Sequence, residues 1–370
     1  MQILLLLTDL FDAVGGIQTF NRCFVKALND LSLQKDIKVK VLVLNDTGKS
    51  NLANKYISSK NIEYVFFARN HFKFLIHKLR LSINSDKIIF GHVNFAPLVL
   101  FINLLNPKSK KYLIVHGIEV WKKMPLFKGL GINTLDKILS VSAYTKEQMK
   151  KHDSISENKF IIFPNTLDPF YSLKPQMAED IVLPKGKIIL SVTRLDSSEV
   201  YKNIDLVIKA LPSVLKIIPD VYYVIVGEGT DRFRLELLAK ELGVRENIIF
   251  AGYVPDNLLP SYYAASNVFV LPSTKEGFGI VFLEAMYYLK PCIGANAGGI
   301  PEVIKDGETG VLIDPKNITS LSENIIKLLK DKDLCHSMGK AGKERLDNEF
   351  AFEIFKNRLE QIIMIGSAKK

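Results

Sequence analysis

Residues 272–286 have the sequence PSTKEGFGIVFLEAM, and the apolar run VFVL at 268–271 comes directly before them. The apolar run is typical of a buried strand, Gly277 and Gly279 predict a turn, and the residues that follow predict a helix. A helix that starts at such a turn presents free backbone N–H groups and the positive end of its dipole. The stretch therefore predicts a strand–turn–helix unit whose turn binds an anion.

The same alternation of short apolar runs and longer amphipathic segments continues along the whole chain. The strand-like runs lie at 3–7, 39–44, 64–67, 87–90, 112–115, 138–141, 160–163, 187–192, 222–226, 248–250, 268–271, 291–294 and 310–313. Continuous apolar runs of this kind fit parallel strands that helices cover on both faces. The pattern therefore predicts an α/β protein built from Rossmann-like, doubly wound parallel sheets.

The chain length predicts two domains, because 370 residues exceed what one ordinary core holds. Residues 166–186 are rich in proline and polar residues and lack a sustained period, which indicates a linker. We expect an N-terminal domain over 1–168, a C-terminal domain over 169–348, and a last helix, 349–370, that returns to the first domain. Because doubly wound sheets bind ligands at the carboxyl ends of their strands, the two domains should face each other across a cleft.

The three cysteines, Cys23, Cys292 and Cys335, are far apart and show no CxxC spacing. This usage argues for a reducing compartment and against a disulfide framework or a zinc site. No segment has the roughly 20 uninterrupted apolar residues of a membrane span, and the short apolar N-terminus favours a buried strand over a signal peptide. The Asp-x-Asp pattern at 331–333 falls at a predicted helix end, so we expect no metal site there. We also expect no other cofactor. The cysteine usage and the absence of a span or signal peptide favour a cytoplasmic location.

The net charge of +10 lies entirely in the first half of the chain. Residues 1–180 contain 25 Lys and Arg against 15 Asp and Glu, and residues 181–370 contain 24 of each. A solvated Lys-rich surface would explain this excess, and so would a basic face for phospholipid headgroups or a lipid-diphosphate acceptor. Residues 69–80 mix cations with apolar side chains in a predicted helix, which either packs on its domain or contacts an anionic membrane peripherally, on the inner face of the plasma membrane. No nucleic-acid motif accompanies the charge, so nucleic acid is not an expected partner.

Two glutamates in the opening stretch, Glu276 and Glu284, are eight positions apart. On a continuous helix they would be separated by roughly 12 Å, whereas a hydrolytic carboxylate pair is about 5 to 9.5 Å apart. This spacing suits two carboxylates that hold the ends of an extended ligand. Sugars and riboses are natural partners, because an ionised carboxylate accepts strong hydrogen bonds from hydroxyl groups.

The stretch resembles the Glu-x7-Glu signature of retaining glycosyltransferase family 4, whose members have the GT-B fold of two Rossmann-like domains. Other motifs agree with that family in order along the whole chain. They are Gly15-Gly16, His116 to Trp121, Pro164-Asn165, Arg194 with Lys202, Gly227-Glu228-Gly229, Gly252-Tyr253-Val254 and Gly298 to Glu302. The resemblance implies a donor site in the C-terminal domain and an acceptor site in the N-terminal domain.

Four residues are predicted to carry the reaction. Fixed cations in a water-poor cleft stabilise the charge that develops on a diphosphate leaving group, which is the role expected for Arg194 and Lys202 in place of a metal. The resemblance implies that Glu276 binds the transferred sugar and that His116 contacts it near the reacting carbon. The loop between Arg194 and Lys202 is longer than is usual in the family, which puts the position of Lys202 in question.

The remaining site residues are predicted to bind substrate. The resemblance assigns Glu284 to the ribose hydroxyls. It places the backbone at Phe278, Gly279 and Ile280 against the sugar and phosphate. The substrate-binding set also includes Gly15, Gly16, Asn165, Gly227 and Val254.

These features predict transfer of a hexose-type sugar from a UDP- or GDP-sugar to a glycan or lipid-linked acceptor, with retention, in the biosynthesis of cell-surface polysaccharide or glycolipid. The alternatives on the same fold are a nucleotide-sugar epimerase and a phosphorylase, and the latter lacks its cofactor-lysine signature here. A Rossmann dehydrogenase is disfavoured because no GxGxxG follows the first strand. A non-catalytic sugar-binding protein is disfavoured because the charged motif residues are all present.

Overall fold

The computed structural model describes residues 1–50, 53–171 and 183–364, and the chain divides into two units. Unit 1 comprises Met1–Pro169 and Phe350–Lys370, and unit 2 comprises Phe170–Glu349. The predicted linker, 166–186, lies in large part outside the described residues, because 172–182 are not among them.

In the described part of unit 1, seven parallel strands form one sheet in the order β3-β2-β1-β4-β5-β6-β7. The strands are β1 Gln2–Leu7, β2 Lys38–Val43, β3 Ile62–Phe66, β4 Lys87–Phe90, β5 Lys110–Val115, β6 Lys137–Ser140 and β7 Phe160–Ile162. The order reverses between β1 and β4, which pair with Leu6 opposite Phe90. This topological switch point is where doubly wound sheets open a crevice for ligands.

The helices of unit 1 cover both faces of this sheet. They are α1 Gly16–Gln34, α2 Ala53–Tyr56, α3 His71–Ser82, α4 Leu98–Leu105, α5 Leu126–Asn133, α6 Ala143–His152 and the last helix of the chain, α14 Phe352–Met364. Right-handed crossovers place α1 and α2 on one face and α3 to α6 on the other. On the first face α14 packs against α1, where Phe355 contacts Phe20 and Phe24.

The described residues of unit 2 form a second sheet of six parallel strands in the order β10-β9-β8-β11-β12-β13. The strands are β8 Lys187–Val192, β9 Val221–Val226, β10 Ile248–Gly252, β11 Val268–Leu271, β12 Cys292–Ala295 and β13 Gly310–Ile313. The helices are α7 Ile204–Leu215, α8 Arg232–Glu241, α9 Leu259–Ala265, α10 Ile280–Tyr287, α11 Ile300–Val303, α12 Ile318–Lys330 and α13 Lys332–Arg345. The switch point lies between β8 and β11, so Arg194 and the 272–279 turn follow neighbouring strands.

The predicted fold class of two doubly wound parallel sheets is confirmed. Each apolar run that predicted a strand is a strand here. The central strands are buried on both faces and leave little room for polar side chains, whereas β3 at the sheet edge is exposed at three of its five residues. Two predicted helices begin later than expected, α14 at Phe352 instead of 349 and α3 at His71 instead of 69. Ala68 and Arg69 have left-handed backbone with φ of 48° and 65°, and Asn70 then caps α3 by accepting a hydrogen bond from the Lys73 N–H.

Candidate active site

Two glycines of unit 2 fix the backbone around Arg194. Gly227 and Gly229 follow β9 with φ of 132° and 155°. A Cβ at Gly227 would lie 1.8 Å from the Thr193 carbonyl oxygen, and one at Gly229 would lie 2.1 Å from that of Leu195. Any side chain at either position would therefore push the Arg194 segment away from β9. The GEG motif thus has a structural reason that does not depend on a ligand.

The segment between Arg194 and Lys202 is a short 3-10 helix, Ser197–Lys202, tied to the loop after β11. The Tyr201 carbonyl accepts a hydrogen bond from the Thr274 N–H at 2.9 Å. The Asn203 side-chain amide donates to the Pro272 carbonyl at 2.8 Å. These two bonds flank Lys202, so the longer loop holds this residue against the 272–279 turn.

Lys202 and Glu276 form an ion pair, with Nζ 2.7 Å from Oε2. The two side chains are 17% and 19% exposed, so the pair is shielded and still accessible from solvent. The Glu276 backbone is fixed, because its carbonyl oxygen accepts a hydrogen bond from the Gly299 N–H at 2.7 Å. A Cβ at Gly298 would lie 2.5 Å from that oxygen, which explains glycine at this position.

Arg194 is placed differently from Lys202. Its side chain is 70% exposed and its guanidinium forms an ion pair with Glu199, whose side chain is 13% exposed. The structure thus brings Lys202 and Glu276 into direct contact and joins Arg194 to a carboxylate of the inserted loop. Glu199 was not among the predicted site residues, and the sequence SSEVYK offered no signal for this pairing.

Glu284 lies on α10, one helix turn beyond its start. The Tyr263 hydroxyl donates a hydrogen bond to its Oε2 at 2.7 Å. Burial, followed by the nearby Glu284 charge, raises the pKa of Tyr263 well above its usual value, so this hydroxyl remains a donor. Sequence reasoning missed Tyr263, because a tyrosine inside an apolar helix resembles an ordinary core residue.

The start of α10 is built on a glycine. Gly279 has a left-handed backbone with φ of 96°, and the buried Phe278 and Ile280 side chains anchor the turn on either side. The first N–H groups of a helix have no partner within it and point toward the turn. In the loop after β10, Val254 is 9% exposed and Tyr253 is 56% exposed. The Phe278 and Ile280 side chains are therefore not exposed to a ligand.

In unit 1 the loop after β1 leads to Gly15 and Gly16, where α1 begins. Asp46, which is 1% exposed, accepts hydrogen bonds from the Leu10 and Phe11 N–H groups at 3.2 and 2.6 Å. Burial is the main cause that raises the pKa of Asp46. A Cβ at Gly15 would meet the flexible Gln18 amide oxygen at 2.7 Å. Asp46 holds this loop at the switch point, a role that its place after β2 did not reveal.

His116 follows β5 and is fixed at both ends. Its backbone N–H donates to Glu119 Oε1 at 2.5 Å, and its Nε2 lies 3.0 Å from the Gly91 carbonyl, so Nε2 carries the proton. Burial lowers the pKa of His116, while Glu119 and the bond to Gly91 oppose this effect. The imidazole is therefore neutral near pH 7. His92, whose pKa burial also lowers, follows β4 close to His116 and was not predicted.

Asn165 lies after β7 and is 8% exposed. Its Oδ1 is buried and accepts no hydrogen bond from any described residue. Three residues farther on, Asp168 accepts a short hydrogen bond from the Tyr56 hydroxyl, and Arg22 Nε lies 4.0 Å from the same carboxylate. The Pro164–Asp168 segment is thereby fixed to α1 and α2 within unit 1.

Over 1–50, 53–171 and 183–364, no group of three or more His, Cys, Asp or Glu could hold a metal ion. No helix in the same ranges is long and apolar enough to span a bilayer.

Known sequences group this chain with sugar transferases. The family described as "Glycosyl transferases group 1" matches residues 174–345. N-acetyl-alpha-D-glucosaminyl L-malate synthase of Bacillus anthracis is 30% identical over 273 residues, 70% of this chain and 68% of the relative. GDP-mannose-dependent monoacylated alpha-(1-6)-phosphatidylinositol monomannoside mannosyltransferase of Corynebacterium glutamicum is 28% identical over 97% of each chain.

Solved structures share the fold. Anabaena HepE in complex with UDP superposes with a TM-score of 0.81 at 17% identity, covering 99% of this chain and all of the other. Sucrose-phosphate synthase from Thermosynechococcus elongatus gives 0.80 at 19% identity and covers both chains fully. These matches confirm the predicted GT-B fold. On the family match and the Bacillus anthracis relative together, this chain is a glycosyltransferase and belongs to the group 1 glycosyl transferases.

Proposed function

We propose that this chain transfers a hexose, with mannose as the first candidate, from a nucleotide diphosphate-sugar to a lipid-linked acceptor with retention at the anomeric carbon. The observation that carries the proposal is the Lys202–Glu276 ion pair at 2.7 Å, beside the glycine turn that opens α10. A cation for a phosphate and a carboxylate for a sugar are within reach of one another. This is the arrangement that a sugar-phosphate ester requires.

The donor binds unit 2 in this proposal. Lys202 leaves Glu276 to contact the diphosphate, and Glu276 then accepts hydrogen bonds from the hydroxyl groups of the transferred sugar. The backbone at Phe278, Gly279 and Ile280 supplies N–H donors at the positive end of α10. Glu284, oriented by Tyr263, takes the ribose hydroxyls. Gly227 and Val254 shape the base end of the site.

The reaction proceeds on one face of the sugar. The acceptor hydroxyl oxygen bonds to the anomeric carbon as the bond from that carbon to the phosphate oxygen breaks, and the hydroxyl proton passes to the leaving phosphate. Lys202 and Arg194 stabilise the charge on that phosphate. In unit 1, His116 is neutral with its Nε2 proton bound to Gly91, which supports positioning rather than proton abstraction by Nε2. In this proposal the other substrate-binding residues of unit 1 are Gly15, Gly16 and Asn165.

We further propose that no metal takes part, because two cations serve the diphosphate and no carboxylate cluster among the described residues is placed to hold an ion. Turnover should therefore persist in EDTA.

The acceptor is proposed to be lipid-linked and the enzyme to work peripherally at the cytoplasmic face of the plasma membrane. Two observations support this. The whole charge excess of +10 lies in residues 1–180. The Corynebacterium glutamicum relative is a mannosyltransferase that acts on a phosphatidylinositol monomannoside.

A thermal-shift screen against GDP, UDP, GDP-mannose, UDP-glucose and NAD tests the donor class. A ligand at 100 times its dissociation constant stabilises the folded state by about 2.7 kcal/mol. We expect a clear shift with GDP and GDP-mannose. A shift with UDP compounds alone would move the donor to a UDP-sugar, and a shift with neither nucleotide would refute the proposal.

A further inference from the structure

Three helices on one face of unit 1 leave large apolar side chains uncovered. We call Phe72 and Ile76 of α3, Phe101 and Leu104 of α4, and Leu126 and Phe127 of α5 the apolar face. Their side chains are 73%, 48%, 60%, 83%, 71% and 67% exposed, in that order. Single exposed apolar residues are ordinary, but six on neighbouring helices point to an interaction surface.

The three helices lie side by side. Phe74 of α3 packs on Phe95, just before α4, with ring centroids 5.6 Å apart. At the other end, the Asn106 amide donates to the Ser82 carbonyl at the end of α3 at 2.8 Å. On the far side of α4, a Cβ at Gly131 of α5 would lie 1.9 Å from the Ala96 carbonyl oxygen. The middle helix thus packs against both neighbours, so the exposed apolar side chains lie on three adjacent helices.

The composition of α4 indicates that its outer side is normally covered. Its sequence, LVLFINLL, is apolar all round apart from Asn103, which is typical of a helix buried on every side. Val99 and Ile102 do pack in the core of unit 1, whereas Phe101 and Leu104 face outward. Nothing in the folding of unit 1 requires apolar side chains at those two outer positions.

The charges around the apolar face favour an anionic partner. Between residues 67 and 135 there are 11 Lys and Arg against two acidic residues, Asp86 and Glu119. Lys78, Lys87 and Lys111 are buried, which leaves eight cations that are not buried. Both carboxylates are occupied locally, since Asp86 accepts from the Gln2 N–H and Glu119 from the His116 N–H. The helices α3, α4 and α5 carry no acidic residue at all. Exposed cations, including Lys73, Arg80 and Lys123, border the apolar side chains.

We propose that the apolar face inserts into the interfacial region of a bilayer that contains anionic lipids, with the surrounding cations against the headgroups. The inference rests on the proposed lipid-linked acceptor and names the surface that brings unit 1 to it. Lys78 takes no part. Its side chain is only 6% exposed, and its Nζ lies 4.9 Å from the centre of the Phe74 ring.

The test is sedimentation with vesicles of equal parts phosphatidylglycerol and phosphatidylcholine. Each of Phe72→Ser, Leu104→Ser and Phe127→Ser should lower the partition coefficient about 10-fold, and the triple variant at least about 100-fold. Phe233→Ser is the matched control, because Phe233 is 70% exposed on α8 of unit 2. It should bind like the unaltered chain. If the triple variant unfolds, the vesicle binding of Leu104→Ser alone is compared with that of Phe233→Ser.

The single tryptophan, Trp121, precedes α5 and provides an independent readout of orientation. Brominated lipids should quench its fluorescence in the unaltered chain and not in the triple variant. Equal binding by the triple variant would refute the proposal. So would a dimer in sedimentation velocity that the triple variant loses, since a second copy would then cover the face. Nucleotide binding by the triple variant reports on the proposed function separately and should be unchanged.

Discussion

Replacing Lys202 with alanine should lower kcat far more than it weakens donor binding. Two hydrogen bonds on either side of Lys202 place its ammonium beside Glu276. The Thr274 N–H donates to the Tyr201 carbonyl, and the Asn203 side-chain amide donates to the Pro272 carbonyl. Because the chain on both sides of Lys202 is fixed, only its side chain moves from Glu276 to the diphosphate when the donor binds. The bound ammonium then needs little reorganisation when charge develops on the leaving phosphate. Its contribution is therefore larger in the transition state than in the bound donor.

The size of the effect follows from the shielding of the pair. At 17% exposure Lys202 is partly desolvated, so it acts as a preorganised donor in a site with little water. Loss of one such donor costs about 10²- to 10³-fold in kcat, or about 2.7–4 kcal/mol. The loss of kcat in Arg194→Ala should be of the same size or smaller, because the Arg194 side chain is 70% exposed and its charge is more strongly screened.

The assay is initial rate against nucleotide-sugar concentration, with the dissociation constant of the free nucleotide measured by calorimetry. Lys275→Ala is the matched control, because Lys275 is exposed and its Nζ lies 5.8 Å from the centre of the Tyr201 ring that Lys202 also approaches. This control should retain activity within about 3-fold, as expected for an exposed charge.

Glu276→Gln and the double variant with Lys202→Ala complete a cycle. Because both residues act on the same sugar-phosphate, the double variant should lose less than the product of the two single losses. Full activity in Lys202→Ala would refute the reasoning, since it would mean that the lysine does not meet the diphosphate. If Lys275→Ala lost as much kcat as Lys202→Ala, the effect would come from the net charge of the site and not from the position of Lys202.

Three further outcomes are expected. Glu199→Gln should tighten nucleotide diphosphate binding several-fold by calorimetry, because Arg194 would no longer leave a carboxylate to meet the phosphates, and weaker binding would assign Glu199 a supporting role. Turnover should be unchanged in EDTA, and activity restored by Mg²⁺ or Mn²⁺ after chelation would overturn the role given to Arg194 and Lys202. Burial lowers the pKa of Lys78 from 10.5 to about 8. The charged form of Lys78 therefore destabilises the folded state, and this destabilisation grows as the pH falls from 10.5 through 8. Lys78→Met should therefore stabilise the protein at pH 7 by about 1–3 kcal/mol, with the gain fading toward pH 11, in denaturant titrations at both pH values.

Strands were the most predictable feature of this sequence. Parallel strands need apolar side chains on both faces, so runs such as 268–271 stand out without any tertiary information. The helix α3 shows the limit of that reasoning. Its mixture of cations and apolar residues was visible, but the sequence did not show that Lys78 packs inward on Phe74 while Phe72 points outward. That outcome depends on which side of the helix meets the sheet.

Site residues that support other residues were not predictable either. Tyr263 orients Glu284 from another helix, and Asp46 holds the loop before Gly15 from the end of a different strand. Both contacts join segments that are distant in sequence, and neither residue belongs to a pattern with its own chemical signal. The motif residues were visible because glycines and charged side chains follow strands at the sheet edge where ligands bind. The roles assigned to them stay predictions until the variants are measured.

The most direct measurement is the anomeric configuration of the product by proton NMR. The enzyme is incubated with EDTA, the nucleotide-sugar selected by thermal shift and a short-chain analogue of a phosphatidylinositol acceptor. We predict a glycoside with the same anomeric configuration as the donor, formed in step with release of the nucleoside diphosphate and lost with Lys202→Ala. A product of inverted configuration, or nucleotide release without any glycoside, would contradict retaining transfer by this site.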